Sequence, residues 1–290
     1  MNKNNPIGMV DSGVGGLTVI KAAQKQLPNE QFIFIGDTAR MPYGPRTTDE
    51  VIAYTRQMAN FLVNEKHIKL LVIACNTATA RALTVLQDQL SIPVIGVIQP
   101  GAKAAQLATK NEKIGVIATQ GTVTSEAYDV QLHQYNSQIT VISQAEPAFV
   151  QVVESNKYHS DEARDLVRNH LVALKSAEID TLILGCTHFP LLTPFIKKAI
   201  GDGVTLIDSG QETVQVIQDC LTKSRLSTVS QHDHNDDVYY TTGDPALFKA
   251  IATDWLEREG DLKVRQLKIV DAGPQQHLEE QNDATTDFSK

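Results

Sequence analysis

Leu70-Leu71-Val72-Ile73-Ala74-Cys75-Asn76-Thr77-Ala78-Thr79 reads as a buried strand that delivers a cysteine and small polar residues to the start of a helix. Thr181-Leu182-Ile183-Leu184-Gly185-Cys186-Thr187-His188-Phe189-Pro190 repeats that grammar. Apolar runs that are continuous rather than alternating belong to parallel strands covered on both faces, which makes the chain α/β. Ligands of such sheets bind at the carboxyl ends of the strands, where both cysteines stand. The amino end of a following helix adds free N–H groups and a positive dipole end, favourable to a thiolate or a bound carboxylate. A lone free cysteine is most often a small buried hydrophobe. Two at equivalent strand ends, each followed by hydrogen-bonding residues, point instead to one shared site. Cys220 differs: Val214, Ile217 and Leu221 recur around it at helical spacing, so it is read as packing.

The 290-residue chain is long enough for two domains, and a 42% hydrophobic composition can fill their cores. Its formal net charge of −8, with basic residues scattered, disfavours nucleic acid or an anionic membrane surface as partner. Met1 to Pro6 lack the apolar core of a signal peptide, and three widely spaced cysteines do not make a disulfide framework. A cytoplasmic protein is expected.

Ile7-Gly8-Met9-Val10 is a strand, and Asp11-Ser12-Gly13-Val14-Gly15-Gly16-Leu17-Thr18 is a glycine-rich turn into a helix. The turn does not fit a nucleotide fingerprint, since Thr18 stands where glycine is required and no Lys-Ser/Thr follows. It is read as a backbone that can approach a small anion. After the strand Phe32–Ile35 comes a loop, Gly36 to Arg46, that ends at Thr47 and Glu50 in capping-box spacing. Asp37 is assigned to stabilising that loop. Lys113–Ala118 with Thr119-Gln120-Gly121-Thr122 echoes the opening segment, 107 residues from Ile7 to Ile114, against 111 between Cys75 and Cys186. The repeat implies two similar parallel-sheet α/β domains related by a pseudo-twofold, with the active site in the cleft between them. The expected division is 1–98 plus 208–270 for the first, 99–207 for the second, and a disordered tail over 271–290. Gln99-Pro100-Gly101 is read as the crossing between halves, and Ser209 with Glu212 as a second capping box. Gln231-His232-Asp233-His234-Asn235-Asp236-Asp237 carries metal-ligand residue types but no flanking regular structure, so it is read as a solvated loop and no metal is expected.

Asp11-Ser12-Gly13-Val14-Gly15-Gly16-Leu17-Thr18, Gly36-Asp37-Thr38-Ala39-Arg40, Pro42-Tyr43-Gly44, Ala74-Cys75-Asn76-Thr77-Ala78, Gly185-Cys186-Thr187-His188-Phe189-Pro190-Leu191-Leu192 and Tyr240-Thr241-Thr242-Gly243-Asp244-Pro245 together resemble the glutamate racemases, from about Ile7 to Val270. The resemblance implies a racemase without a cofactor that interconverts L- and D-glutamate with two bases and supplies D-glutamate for peptidoglycan. Carried onto this sequence, Cys75 takes the α-proton of D-glutamate and Cys186 that of L-glutamate. Asp11 assists the first thiol, and His188 and Glu154 the second. Asp11, Ser12, Pro42, Tyr43, Gly44, Asn76, Thr77, Thr119, Thr187 and His188 correspond to substrate contacts, and a homodimer is implied. Members that answer to a cell-wall precursor carry an extension before the first strand; with about six residues before Ile7 here, no such activation is expected. Two thiols suit inversion of a carbon centre, because one group must remove a proton while the other returns one from the opposite face. The residues leave other readings open: a racemase of aspartate or another amino acid, a Cys/His hydrolase built on Cys186 and His188, or a two-lobed amino-acid-binding protein that needs neither thiol.

Overall fold

The computed structural model describes residues 2–258, 261–272 and 275–281. Its strands are β1 Ile7–Asp11, β2 Phe32–Gly36, β3 Leu70–Ile73, β4 Val94–Gly96, β5 Lys113–Ala118, β6 Thr140–Ala145, β7 Thr181–Gly185, β8 Thr205–Asp208, β9 Val238–Thr241, β10 Lys263–Ala272 and β11 Gln275–Glu280. They form a seven-stranded sheet in the order β11-β10-β9-β2-β1-β3-β4 and a four-stranded sheet in the order β6-β5-β7-β8. All pairings are parallel except that of β10 with β11. The internal repeat is explicit in this topology, because β2-β1-β3-β4 and β6-β5-β7-β8 follow one order. Each cysteine follows the third strand of its set. β1 and β3 are buried along their whole length, the burial their unbroken apolar runs require.

Local chemistry fixes the elements that frame the site. Thr47 and Glu50 close a reciprocal capping box on the helix Thr48–Asn64, which anchors the end of the loop before it. Asp244 caps the helix Pro245–Leu256, with proline at its first position. Elsewhere the structure differs from the sequence reading. Gln99-Pro100-Gly101 lies in the first turn of the helix Ile98–Ala108, where the missing proline N–H removes no helical hydrogen bond. Asp208, not Ser209, caps the helix Ser209–Lys223, because its carboxylate accepts from the N–H groups of Gly210 and Gln211. The chain leaves the large sheet at Gly96–Ile98 and comes back from the small one at Asp208–Ser209. The first turn of the helix that follows the first crossing meets the second crossing: a Cβ on Gly101 would stand 2.8 Å from that of Ser209.

Two expectations about the last quarter of the chain are corrected. The expected disordered tail begins inside β10 and includes β11; the part over 282–290 lies outside the described residues. β11 is ordered by backbone pairing to β10, by burial of Leu278, and by Glu280, whose carboxylate bonds Lys66 and Arg265, each at 2.6 Å. The Gln231–Asp237 segment is not a solvated loop, since Asp237 is buried and accepts hydrogen bonds from the Phe32 N–H and the Gln24 side chain. Among the described residues, no helix is long and apolar enough to cross a membrane.

Candidate active site

The carboxyl ends of β1, β3, β5 and β7 converge on one cavity that both cysteines line, Cys75 from the large sheet and Cys186 from the small one. Its walls also include Ser12, Pro42, Tyr43, Gly44, Asn76 and Thr77 from the large-sheet side, and Thr119, Val150, Glu154, Thr187 and His188 from the other. Of the residues named from the sequence, only Asp11 does not line it; Asp11 is buried directly behind, at the end of β1. Val150 was not anticipated, because nothing in its sequence context separates it from the other apolar positions of the helix Pro147–Glu154. The space in which the centre of a water-sized sphere can move is only ≈ 20 Å³, room for water but not for an amino acid.

Cys75 caps its helix: the Ala78 N–H donates to Sγ at 3.4 Å, while the thiol donates to the Ser12 hydroxyl at 3.5 Å. Position at a helix start predicts a thiolate-favouring site. Burial overrides it, and with the nearby Asp11 carboxylate it pushes the Cys75 thiol up to about 12, against the opposing bonds from Ser12 and Ala78. Burial also raises Asp11, and the His188 charge and the Gly13 N–H, which donates at 2.8 Å, counter it only in part.

Cys186 has different surroundings. The segment after it is a 3-10 turn, Phe189–Leu192, and the adjacent polar group is His188, whose Nδ1 lies 3.7 Å from the sulfur. Glu154 Oε1 sits 3.2 Å from His188 Nε2, an ion-pair contact too bent for a hydrogen bond. Burial alone would lower His188; the Cys186 sulfur and the Glu154 carboxylate at its two nitrogens outweigh it and raise the imidazole to about 10. At neutral pH one sulfur is therefore a thiol and the other adjoins an imidazolium. Trp255 meets that imidazole edge-on, ring centroids 6.0 Å apart.

The remaining polar groups are held from behind. Tyr128 donates its hydroxyl to Asn76 Oδ1 at 2.7 Å, which leaves the buried Asn76 Nδ2 without a protein partner beside the cavity. Thr77 and Thr119, from opposite sheets, share a hydrogen bond of 2.8 Å, with Thr122 alongside. The Thr187 hydroxyl donates to Asp11 Oδ2 at 3.3 Å. Asp37 stabilises its loop as expected: it accepts from Arg40 Nε, from the Tyr43 hydroxyl and from Thr242 at 2.7 Å, tying the Tyr43 ring to β9. Gly15 has a role that sequence reasoning missed. A Cβ there would stand 2.1 Å from Thr187 Oγ1 and 2.7 Å from His188 Nδ1, so the turn is glycine-rich to let the other half seat against it.

Residues 16–217 match the Asp/Glu/Hydantoin racemase family. The chain is 53% identical to a glutamate racemase of Pediococcus pentosaceus over 266 residues, 92% of this chain and 99% of that one. Among solved structures it resembles a glutamate racemase isoform of Bacillus anthracis, with TM-score 0.88, 42% identity, and coverage of 93% of this chain and 99% of that one. It also resembles the glutamate racemase of Francisella tularensis in complex with D-glutamate, with TM-score 0.82, 33% identity, and coverage of 93% and 98%.

Proposed function

The chain belongs to the Asp/Glu/hydantoin racemase family, and from that premise we propose that it interconverts L- and D-glutamate with Cys75 and Cys186 as the two bases. The observation that carries the proposal is the placement of one thiol from each sheet on the walls of one cavity. In the direction from L-glutamate, Cys186 as thiolate, paired with the His188 cation, removes the α-proton, and Cys75, held as a thiol, returns one from the opposite face. The reverse direction exchanges these roles. Asp11, whose charge opposes a thiolate at Cys75, is the group that assists Cys75 by taking up a proton, and Glu154 sustains the charge on His188. Asn76 Nδ2 and the hydroxyls of Ser12, Thr77, Thr119 and Thr187 are suited to the substrate carboxylates, with Pro42, Tyr43 and Gly44 shaping the wall.

Two domains, 1–98 with 208–270 and 99–207, belong to this reading, with the first sheet continuing to Glu280; sheet membership supports the division. A cytoplasmic homodimer feeding D-glutamate to peptidoglycan is its cellular counterpart. The test is circular dichroism on D- and L-glutamate, and on both aspartates, with deuterium uptake at the α-carbon in heavy water. Cys75→Ala and Cys186→Ala should each abolish net racemisation. Full activity in either variant would refute the two-base scheme, and turnover confined to aspartate would reassign the substrate.

A further inference from the structure

On the amino-terminal side of the large sheet, away from the cavity, His232, His234 and Asp237 bring three ligand-type atoms within 4.8 Å of one another. It is the one such group found among the described residues. Asp237 is 1% exposed, and the two histidine side chains 14% and 15%. A carboxylate has about four lone-pair positions. The Phe32 N–H takes one at 2.8 Å and the Gln24 side chain a second at 2.7 Å. The positions that remain face His232 Nε2 at 2.7 Å and His234 Nδ1 at 3.0 Å.

The orientation of His234 makes the cluster informative. Its Nε2 lies 3.1 Å from the Gln24 carbonyl oxygen, which can only accept, so that nitrogen carries the proton. In the neutral ring the Nδ1 lone pair then points at a carboxylate oxygen, an arrangement that needs a positive charge between them. A backbone carbonyl on the outer nitrogen is also how metal-bound histidines are held. The same residue, Gln24, braces the Asp237 carboxylate.

We propose that His232 Nε2, His234 Nδ1 and the Asp237 carboxylate form a structural site for a divalent transition metal ion, zinc by preference. Two imidazole nitrogens and one carboxylate oxygen suit zinc, with water as the fourth ligand. Metal bonds of about 2.1 Å set tetrahedral ligands roughly 3.4 Å apart, so the nitrogen–carboxylate separations of 2.7 and 3.0 Å must widen by a fraction of an ångström, and the two imidazole nitrogens, which lie within 4.8 Å of each other, must settle to the same spacing. Bound there, the ion would fix the segment before β9, whose Asp237 and His234 are already hydrogen-bonded to Phe32 at the start of β2 and to Gln24 in the helix Leu17–Gln26. It would raise stability and leave the reaction untouched.

The test is titration of the full-length, tag-free, metal-stripped protein with Co²⁺, read by visible absorption, alongside calorimetry and thermal unfolding with Zn²⁺. The expected result is one equivalent bound with tetrahedral cobalt bands, and an unfolding midpoint raised by several degrees. A His232→Gln/His234→Gln variant should lose both signals and keep racemase activity, while Cys75→Ala/Cys186→Ala keeps both signals. Should the double histidine variant fold poorly, His232→Gln alone should weaken Co²⁺ binding at least tenfold. Absence of binding by the parent protein overturns the proposal and leaves a protonated His234 as the positive charge. Binding that survives the histidine changes, or that vanishes with the thiols, overturns it too.

Discussion

Gly15→Ala isolates the contact between the two halves. The Gly15 backbone is not in the left-handed region, so alanine introduces no backbone strain and the effect is steric. The new methyl would stand 2.1 Å from Thr187 Oγ1, where ordinary contact begins at 3.4 Å, and 2.7 Å from His188 Nδ1. Thr187 and His188 must retreat by about an ångström, which stretches the Thr187 bond to Asp11 and draws His188 from Cys186. Overpacking of this kind costs about 1–3 kcal/mol, or roughly 5- to 150-fold in an equilibrium. If parting of the halves relieves the clash, the cost falls on the closed form and appears in kcat/KM while the unfolding midpoint stays near that of the parent. Circular dichroism from both enantiomers provides an internal check. The equilibrium constant between enantiomers is one, so kcat/KM must fall equally in both directions. A variant with parental kcat/KM and parental midpoint would refute the argument that Gly15 is the seat of the opposite half.

Other expectations concern charge. His188 is raised from 6.5 to about 10, so its contribution to stability is complete below about 6.5 and lost as pH climbs through 10. Glu154→Gln removes one cause of the rise and should move that loss, and the alkaline fall in racemase activity, to lower pH; superimposable profiles of midpoint and rate against pH would contradict this. The contribution of Cys75, raised from 9.0 to about 12, is complete below about 9.0 and lost as pH climbs through 12 in both proteins, so the difference between them isolates His188. Lys69 is fully buried against Glu30 and also donates to the Leu226 carbonyl at 3.0 Å. Lys69→Met strands the Glu30 carboxylate at a cost of about 3–5 kcal/mol, a fall of roughly 10 °C in midpoint. Adding Glu30→Gln should recover part of it, and a single variant as stable as the parent would show that the pair is dispensable.

How far the sequence could be read depended on the range of the interactions. Strands buried on both faces announce themselves in their own residues, as Leu70–Ile73 and Thr181–Gly185 do, and so does the capping box of Thr47 and Glu50. Cys75 and Cys186 were legible because each strand end carried the same short pattern. The environment of each sulfur was not, because Asp11 and Ser12 meet Cys75 across more than sixty positions of chain. Gly15 looked like a place for an anion, since a glycine records that something approaches without recording what. The His232–Asp237 segment looked solvated because its partners, Gln24 and Phe32, lie over two hundred residues away. β11 looked disordered because its order comes from backbone pairing and ion pairs rather than from apolar side chains.

The two adjacent crossings between the sheets have a mechanical consequence. With Gly96–Ile98 and Asp208–Ser209 leading into neighbouring helices, the halves are joined as a door is by two pivots on one jamb, and rotation about that line is the motion these two connections restrain least. The closed cavity has room for water alone, so its walls must part to admit glutamate of either hand, and rotation about that line is the motion expected to part them. Opening is then a step common to both directions of the reaction. A wedge lodged in the seam between Gly15 and Thr187, or between Gly121 and the Gly44 carbonyl, would jam both directions alike without touching either sulfur.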